Sequence, residues 1–232
     1  MPPSKRRPPE PAHASVEPGP RPPAAPAPRA AARRPRATGP RALVLHVAVR
    51  DITPPIWRRV RVPDRYTLHQ LHRVFQLLFG WLDYHLYEFA VGGRRFTNRD
   101  PALALDLDLD ADSDDTRTTT LRALGVRAGT RLVYTYDFGD DWQHDVVVEA
   151  VQPGGTGADD TVPTLLDGAR AGPPEDAGGV MGYARVVAAL ADPADPEHAE
   201  YRRWAGATYV PDRFDPWLAD RMLGLVAAWG GL

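Results

Sequence analysis

The sequence predicts an α+β fold, a mixed β-sheet packed on one main helix with further helices at the C-terminus. Three observations carry this. Apolar residues alternate with other residues from Leu43 to Val62 and again from Leu132 to Val151. A single strongly amphipathic stretch lies between them, where Leu68, Leu71, Val74, Phe75, Leu78 and Leu82 recur at helical spacing. After Gly182 the apolar pattern returns to helical spacing, interrupted by Asp-Pro pairs.

Each element has its own local signal. Leu43, Leu45, Val47 and Val49 form the inward face of a first strand, beginning near Ala42. Asp51 to Pro55 is turn chemistry, and Ile56 to Val62 returns as a second strand, making a hairpin. Thr67 with Gln70 three residues on is a capping-box pair that starts the helix at 67–80, and Gly80 suits its end. A third strand runs from Leu86 to Val91, followed by a Gly92-Gly93 turn, and residues 97–120 read as loop. Leu132, Tyr134 and Tyr136 mark a fourth strand. A turn spans Asp137 to Asp141, and Trp142 to Val151 is a fifth strand. Residues 153–181 are rich in Gly, Pro and Asp and read as one long loop. The helical part, 182–232, contains a stretch around Tyr183–Leu190 and helices opening at Asp195-Pro196 and Asp215-Pro216.

Charge divides the chain in two. Residues 1–41 hold nine of the 28 Lys and Arg but two of the 30 acids, a net charge of +7, which leaves −9 on 42–232. This Arg-, Pro- and Ala-rich segment has too few large apolar side chains to offset chain entropy, so it is expected to be a disordered tail. It is either a plain solvated tail or a basic arm that contacts nucleic acid. The rest is expected to be a single domain: an αβ core at 42–152, the loop at 153–181 and the helical part.

Composition also narrows the chemistry. No cysteine is present, which removes disulfides, thiolate ligands and a cysteine nucleophile. Lys5 is the single lysine, and Ser4, Ser15 and Ser113 are the only serines, so Schiff-base, P-loop and serine-nucleophile chemistry have few candidates. No apolar run reaches the length of a membrane helix and the N-terminus lacks a signal segment, so a cytoplasmic protein is expected.

The strings Pro54-Pro55-Ile56-Trp57-Arg58-Arg59, Leu71-His72, Gly80-Trp81 with His85-Leu86 and Phe89, Tyr134-Thr135-Tyr136-Asp137-Phe138-Gly139-Asp140-Asp141-Trp142 with His144, and Pro173-Pro174-Glu175-Asp176 with Gly178-Gly179 and Gly182-Tyr183 occur in that order. Together they resemble the Ri-plasmid ORF-three-like family over roughly residues 43–217. The resemblance implies a β-grasp or αβ-roll arrangement and an association with plasmids and insertion elements, but no defined activity. Some relatives carry a resolvase-like label; here the folded part offers only Ser113 for such a nucleophile. Many members have cysteines flanking the Pro-Pro-Glu-Asp string, where this chain has Gly172 and Ala177. Any function shared with them must use other residues.

The candidate binding residues are Asp137, Asp140, Asp141, Trp142 and His144 at the turn, Glu175 and Asp176 in the long loop, and His85. Carboxylates and imidazole are ligands for Mg, Mn or Zn, and Asp140, His144, Glu175 and Asp176 form the candidate set for a divalent metal. The competing reading is structural, since Asp and Gly build turns and Pro-Pro-Glu-Asp can cap a helix near Gly182. His69 and His72 share a helix side as a weaker candidate pair. The Asp106–Asp115 run lacks the glycine and terminal glutamate of a calcium loop and reads as a solvated acidic loop. Trp57, Trp81, Trp142, Tyr134 and Tyr136 are read as core rings more readily than as base-stacking platforms, with Arg58, Arg59 and Arg61 available for phosphates. Two functions are therefore carried forward. One is a non-enzymatic binding or accessory module of mobile DNA, with a protein or nucleic-acid partner and no membrane. The other is a metal-dependent hydrolase or nuclease built on the Asp137–His144 turn and Glu175-Asp176.

Overall fold

The structure, a computed structural model, describes residues 39–98, 113–154 and 162–228. All of them belong to one compact unit, Thr38–Leu232. Residues 1–38 of the expected tail and most of the acidic run lie outside the described residues, and Arg41, placed in the tail, already opens the first strand.

The fold is α+β, with eight strands in one mixed sheet and four helices among the described residues. The strands are β1 (Arg41–Val49), β2 (Trp57–Pro63), β3 (Tyr87–Val91), β4 (Arg94–Thr97), β5 (Asp114–Asp115), β6 (Arg131–Tyr136), β7 (Trp142–Pro153) and β8 (Thr164–Ala169). The helices are α1 (Leu68–Phe79), α2 (Gly179–Ala191), α3 (His198–Ala205) and α4 (Pro216–Ala228). The sheet order is β5-β4-β3-β6-β7-β1-β2-β8, antiparallel throughout except for the parallel β4–β5 pair. Among the described residues no helix is long and apolar enough to cross a membrane.

Eight strands stand where five are expected. Gly92 and Gly93, both at positive φ, turn the chain tightly enough for β4 to pair back on β3. The largest correction is β8, which lies inside the expected loop and pairs with β2. Its register breaks between Arg59 and Val60, so Leu166 is the extra residue and stays exposed while Leu165 points inward. That leaves no run of alternating apolar residues to announce a strand. Helix α3 begins at His198, beyond Asp195-Pro196, where the Asp195 carboxylate is engaged by Arg185 and by the Glu197 N–H.

Helix α1 forms for the reasons its sequence indicates. The Thr67 hydroxyl accepts the Gln70 N–H, and Gln70 returns its Oε1 to the Thr67 N–H. Gly80 closes the helix at φ 82°, a left-handed conformation that costs glycine little. Leu68, Leu71, Val74 and Phe75 are fully buried in the same core cluster as Leu45, Val60, Phe89 and Val146 of the sheet. Each such side chain contributes about 1.5–3 kcal/mol. At the other end of the chain, α4 starts with Pro216 as its first residue, and Asp215 Oδ1 accepts the Leu218 N–H.

The core has a polar seam. His72 is fully buried, faces the Tyr134 hydroxyl at 2.8 Å through Nδ1 and reaches Asp83 at 2.7 Å through Nε2. Gln76 donates to the same Tyr134 hydroxyl, and His69 meets Tyr87. The two helix histidines are thus tied into the core and are not paired toward a common ligand.

Candidate functional site

Three segments converge beside the β6–β7 turn: the approach to β3 (Trp81–Leu86), the turn itself (Asp137–Asp141) and the approach to α2 (Pro173–Gly178). Aromatic packing sets their spacing. Trp81 stacks on Tyr136 with centroids 4.8 Å apart, and its indole N–H donates to the Pro173 carbonyl. Trp142 is buried beneath, edge-on to Tyr183 of α2. The Asp140 carboxylate accepts the Gly178 N–H at 3.0 Å. Gly179 follows so closely that a Cβ there would lie 2.6 Å from the Asp140 carbonyl oxygen.

Two of the acids in the cluster, Asp137 and Glu175, each have one oxygen committed to the scaffold. Asp137, in the left-handed region at φ 55°, turns Oδ1 back to the N–H of Gly139. Glu175 Oε1 accepts the Leu82 N–H and the Tyr136 hydroxyl. Burial, followed by the adjacent Glu175 carboxylate, raises the Tyr136 phenol well above its ordinary range, so it stays a proton donor. The remaining oxygens face His85. Its Nε2 lies 3.1 Å from Asp176 Oδ1, 3.7 Å from Asp137 Oδ2 and 4.0 Å from Glu175 Oε2. One ligand atom from each of His85, Asp137 and Asp176 fits within 4.8 Å of the others. Although Asp176 is close, Nε2 is buried and aligned for no hydrogen bond. Asp176 itself is 69% exposed, so the cluster opens to solvent on that side.

The residues read from the sequence therefore separate. Asp137, Glu175, Asp176 and His85 come together. Asp140 does not join them, because it anchors the start of α2. Asp141 holds the Gln143 amide at the edge of the turn. His144 belongs to the core: it is fully buried, and its Nδ1 lies 3.2 Å from the Tyr134 carbonyl. Because that carbonyl can only accept, Nδ1 carries the proton and Nε2 is a bare lone pair, packed near Phe79 and Trp81. Burial lowers the His144 pKa to about 4. Alternation along β7 carries the signal for this: Trp142, Val146 and Val148 face inward, and His144 shares their parity. Ser113 is likewise buried, with its hydroxyl bonded to Thr97.

Gly172 and Ala177, which flank the Pro-Pro-Glu-Asp string, are both enclosed. A Cβ at Gly172 would sit 2.0 Å from the Phe79 carbonyl oxygen, and Ala177 is buried.

A cleft of about 640 Å³ adjoins the cluster, with Glu175, Asp176 and Arg58 in its lining. Arg58 is buried, and burial lowers its pKa to about 9. Sequence reasoning places Arg58 beside Arg59 and Arg61 as a phosphate contact. The structure separates it from Arg59, which pairs with Glu149 on the exposed side of the sheet.

The family model described as plasmid pRiA4b ORF-3-like protein matches residues 41–217. The uncharacterized protein y4hQ of Sinorhizobium fredii is 37% identical over 167 residues, covering 71% of this chain and 80% of that one. The crystal structure of MM3350, a protein of unknown function from Methanosarcina mazei Go1, superposes with a TM-score of 0.66 at 32% identity, covering 78% of this chain and 98% of that one.

Proposed function

Starting from the fact that the chain belongs to the plasmid pRiA4b ORF-3-like family, we propose that it is a non-enzymatic binding or accessory module whose recognition centre is a divalent-cation site formed by His85, Asp137 and Asp176, with Glu175 beside them. One observation carries the reading: a buried imidazole nitrogen without a hydrogen bond faces three carboxylates that each have an uncommitted oxygen. One nitrogen and several oxygens suit Mn, Mg or Zn. The ion would bridge segments far apart in sequence and hold the 173–178 approach in place for a partner. A grasp- or roll-like packing of the sheet on α1, and an association with mobile DNA, belong to the same proposal. So does contact between the basic tail and nucleic acid, which predicts binding that weakens steeply with salt and is lost without residues 1–41.

The test is calorimetric titration of the full chain with Mn, Mg and Zn, alongside thermal melts. Wild type should bind one ion and be stabilised by about 2.7 kcal/mol at a hundredfold excess over Kd. His85→Ala and Asp176→Asn should lose both signals while melting normally without metal. No ion bound by wild type, or unchanged binding in both variants, defeats the reading.

The solvent-open side of Asp176 supports a second reading, the hydrolase or nuclease. An ion held there keeps positions for water, which it would activate. Metal-dependent cleavage of bis(4-nitrophenyl) phosphate that disappears in His85→Ala would select it over the binding module.

A further inference from the structure

We propose that the cleft between the end of α1, the 171–176 segment and α4 is a binding site for a monoanionic carboxylate on an apolar body, with Arg58 as its anchor. The argument begins with the five N–H groups of a guanidinium. Arg58 donates Nε–H to the Leu78 carbonyl at 2.8 Å, and Nη1 to the carbonyls of Trp57 and Ala169 at 2.8 and 2.9 Å. Those bonds fix the plane of the fork. Among the described residues the two N–H groups on Nη2 have no protein partner and no carboxylate pairs with this side chain. A cation buried in this way without a counter-charge is costly unless something supplies one.

The surroundings place that missing charge in the cleft. Phe214 covers one face of the guanidinium, with its ring centroid 3.7 Å from Cζ, and Phe79 lies 5.0 Å away. Gly168 makes the stack possible, since a Cβ there would stand 2.6 Å from Phe214 and 3.0 Å from Arg58. With Phe214 over one face, the open Nη2 edge is where a carboxylate oxygen matches the guanidinium. The cleft is large enough for a small organic ligand. Trp204, Leu218 and Met222 line it while remaining substantially exposed, an apolar wall with nothing over it among the described residues.

Charge decides among anions. Besides Arg58 the lining includes Arg213, but also Glu175, Asp176 and Asp215. Three carboxylates around the rest of the cleft repel a phosphate dianion more than they repel a single carboxylate. The carboxylate can come from a free acid or from the C-terminal residue of a chain. The shared chemistry is the proposal.

The test is calorimetric titration of the full chain, in chelator so that the cation site plays no part, with octanoate, 1-octanol, octyl phosphate and N-acetylphenylalanine. A carboxylate should bind about tenfold or more tightly than octanol, the difference one charge-assisted contact makes. It should also bind more tightly than octyl phosphate. Octanoate binding above N-acetylphenylalanine assigns a free acid, and the reverse assigns a chain terminus. Arg58→Met should remove the preference for carboxylate over alcohol. Because that change also empties three carbonyl contacts, Leu218→Glu is the second variant: it alters an exposed wall residue, should fold as wild type, and should weaken carboxylate binding about tenfold more than it weakens octanol binding. Binding of octanol as tight as of either carboxylate, preference for octyl phosphate, or carboxylate binding unaffected by Leu218→Glu overturns the proposal.

Discussion

Acid should destabilise this protein in a window set by His144. The unfolded chain protonates a histidine near pH 6.5, whereas burial holds the folded His144 at about 4. Between those values the unfolded state binds the extra proton, so stability rises with pH and is lost on acidification from about 6.5 toward 4. Integrating across the window, lowering pH from 7 to 5 costs about 2 kcal/mol from this residue alone. The structure gives the reason: a proton on Nε2 would be a buried N–H⁺ among Phe79 and Trp81 with no acceptor. His69 and His72 are lowered too, chiefly by burial, and push in the same direction. Asp64 and Asp83, lowered from an ordinary 3.8, release their contributions only in stronger acid. The assay is urea unfolding of wild type and His144→Leu at pH 7 and pH 5. Leucine abolishes the titration and the unpartnered nitrogen while giving up the contact with the Tyr134 carbonyl. The variant should therefore lose about 2 kcal/mol less than wild type over that interval. If both proteins lose the same amount, burial of His144 is not what sets the window, and its assignment to the core interior fails.

Two further changes test the scaffold around the site. Thr67→Ala removes the hydroxyl half of the α1 capping box and should cost about 1 kcal/mol by urea unfolding. An effect indistinguishable from zero would mean that α1 is held by packing alone. Gly172→Ala places a Cβ against the Phe79 carbonyl and should cost about 1–3 kcal/mol, lowering the melting temperature. A neutral result would show that the 171–174 backbone moves aside.

How much was legible in the sequence differs by element. Helix α1 announces itself fully, because cap, apolar stripe and terminal glycine are all local. The β1–β2 and β6–β7 strands show their period of two. By contrast β8 has one inward apolar residue, and what makes it a strand is the unpaired edge of β2, more than 100 residues earlier. The same limit applies to the site. Asp137, Glu175 and Asp176 carry a turn and loop signal that places carboxylates outside regular structure. Nothing local brings His85 to them, since the Trp81–Tyr136 stack and the Trp81–Pro173 bond do so across the fold. A turn reading also points His144 outward, and only the parity of β7 reverses it. Arg58 shares the inward parity of Val60 and Val62, yet nothing local marks an arginine for burial, and the ring that covers it, Phe214, is remote in sequence.

The position of β1 bears on how the chain acquires its structure. β1 sits between β2, its neighbour in sequence, and β7, about a hundred residues further on. A growing polypeptide can close the first hairpin early, but one edge of β1 stays open until Trp142–Pro153 has been made. Loop closure over that separation is entropically unfavourable and delays the step. During that interval the row of free amides beside Val44–Val49 is the place most open to pairing with another nascent chain. Truncation before residue 142 would leave it permanently so, giving an aggregating fragment and not a smaller folded domain.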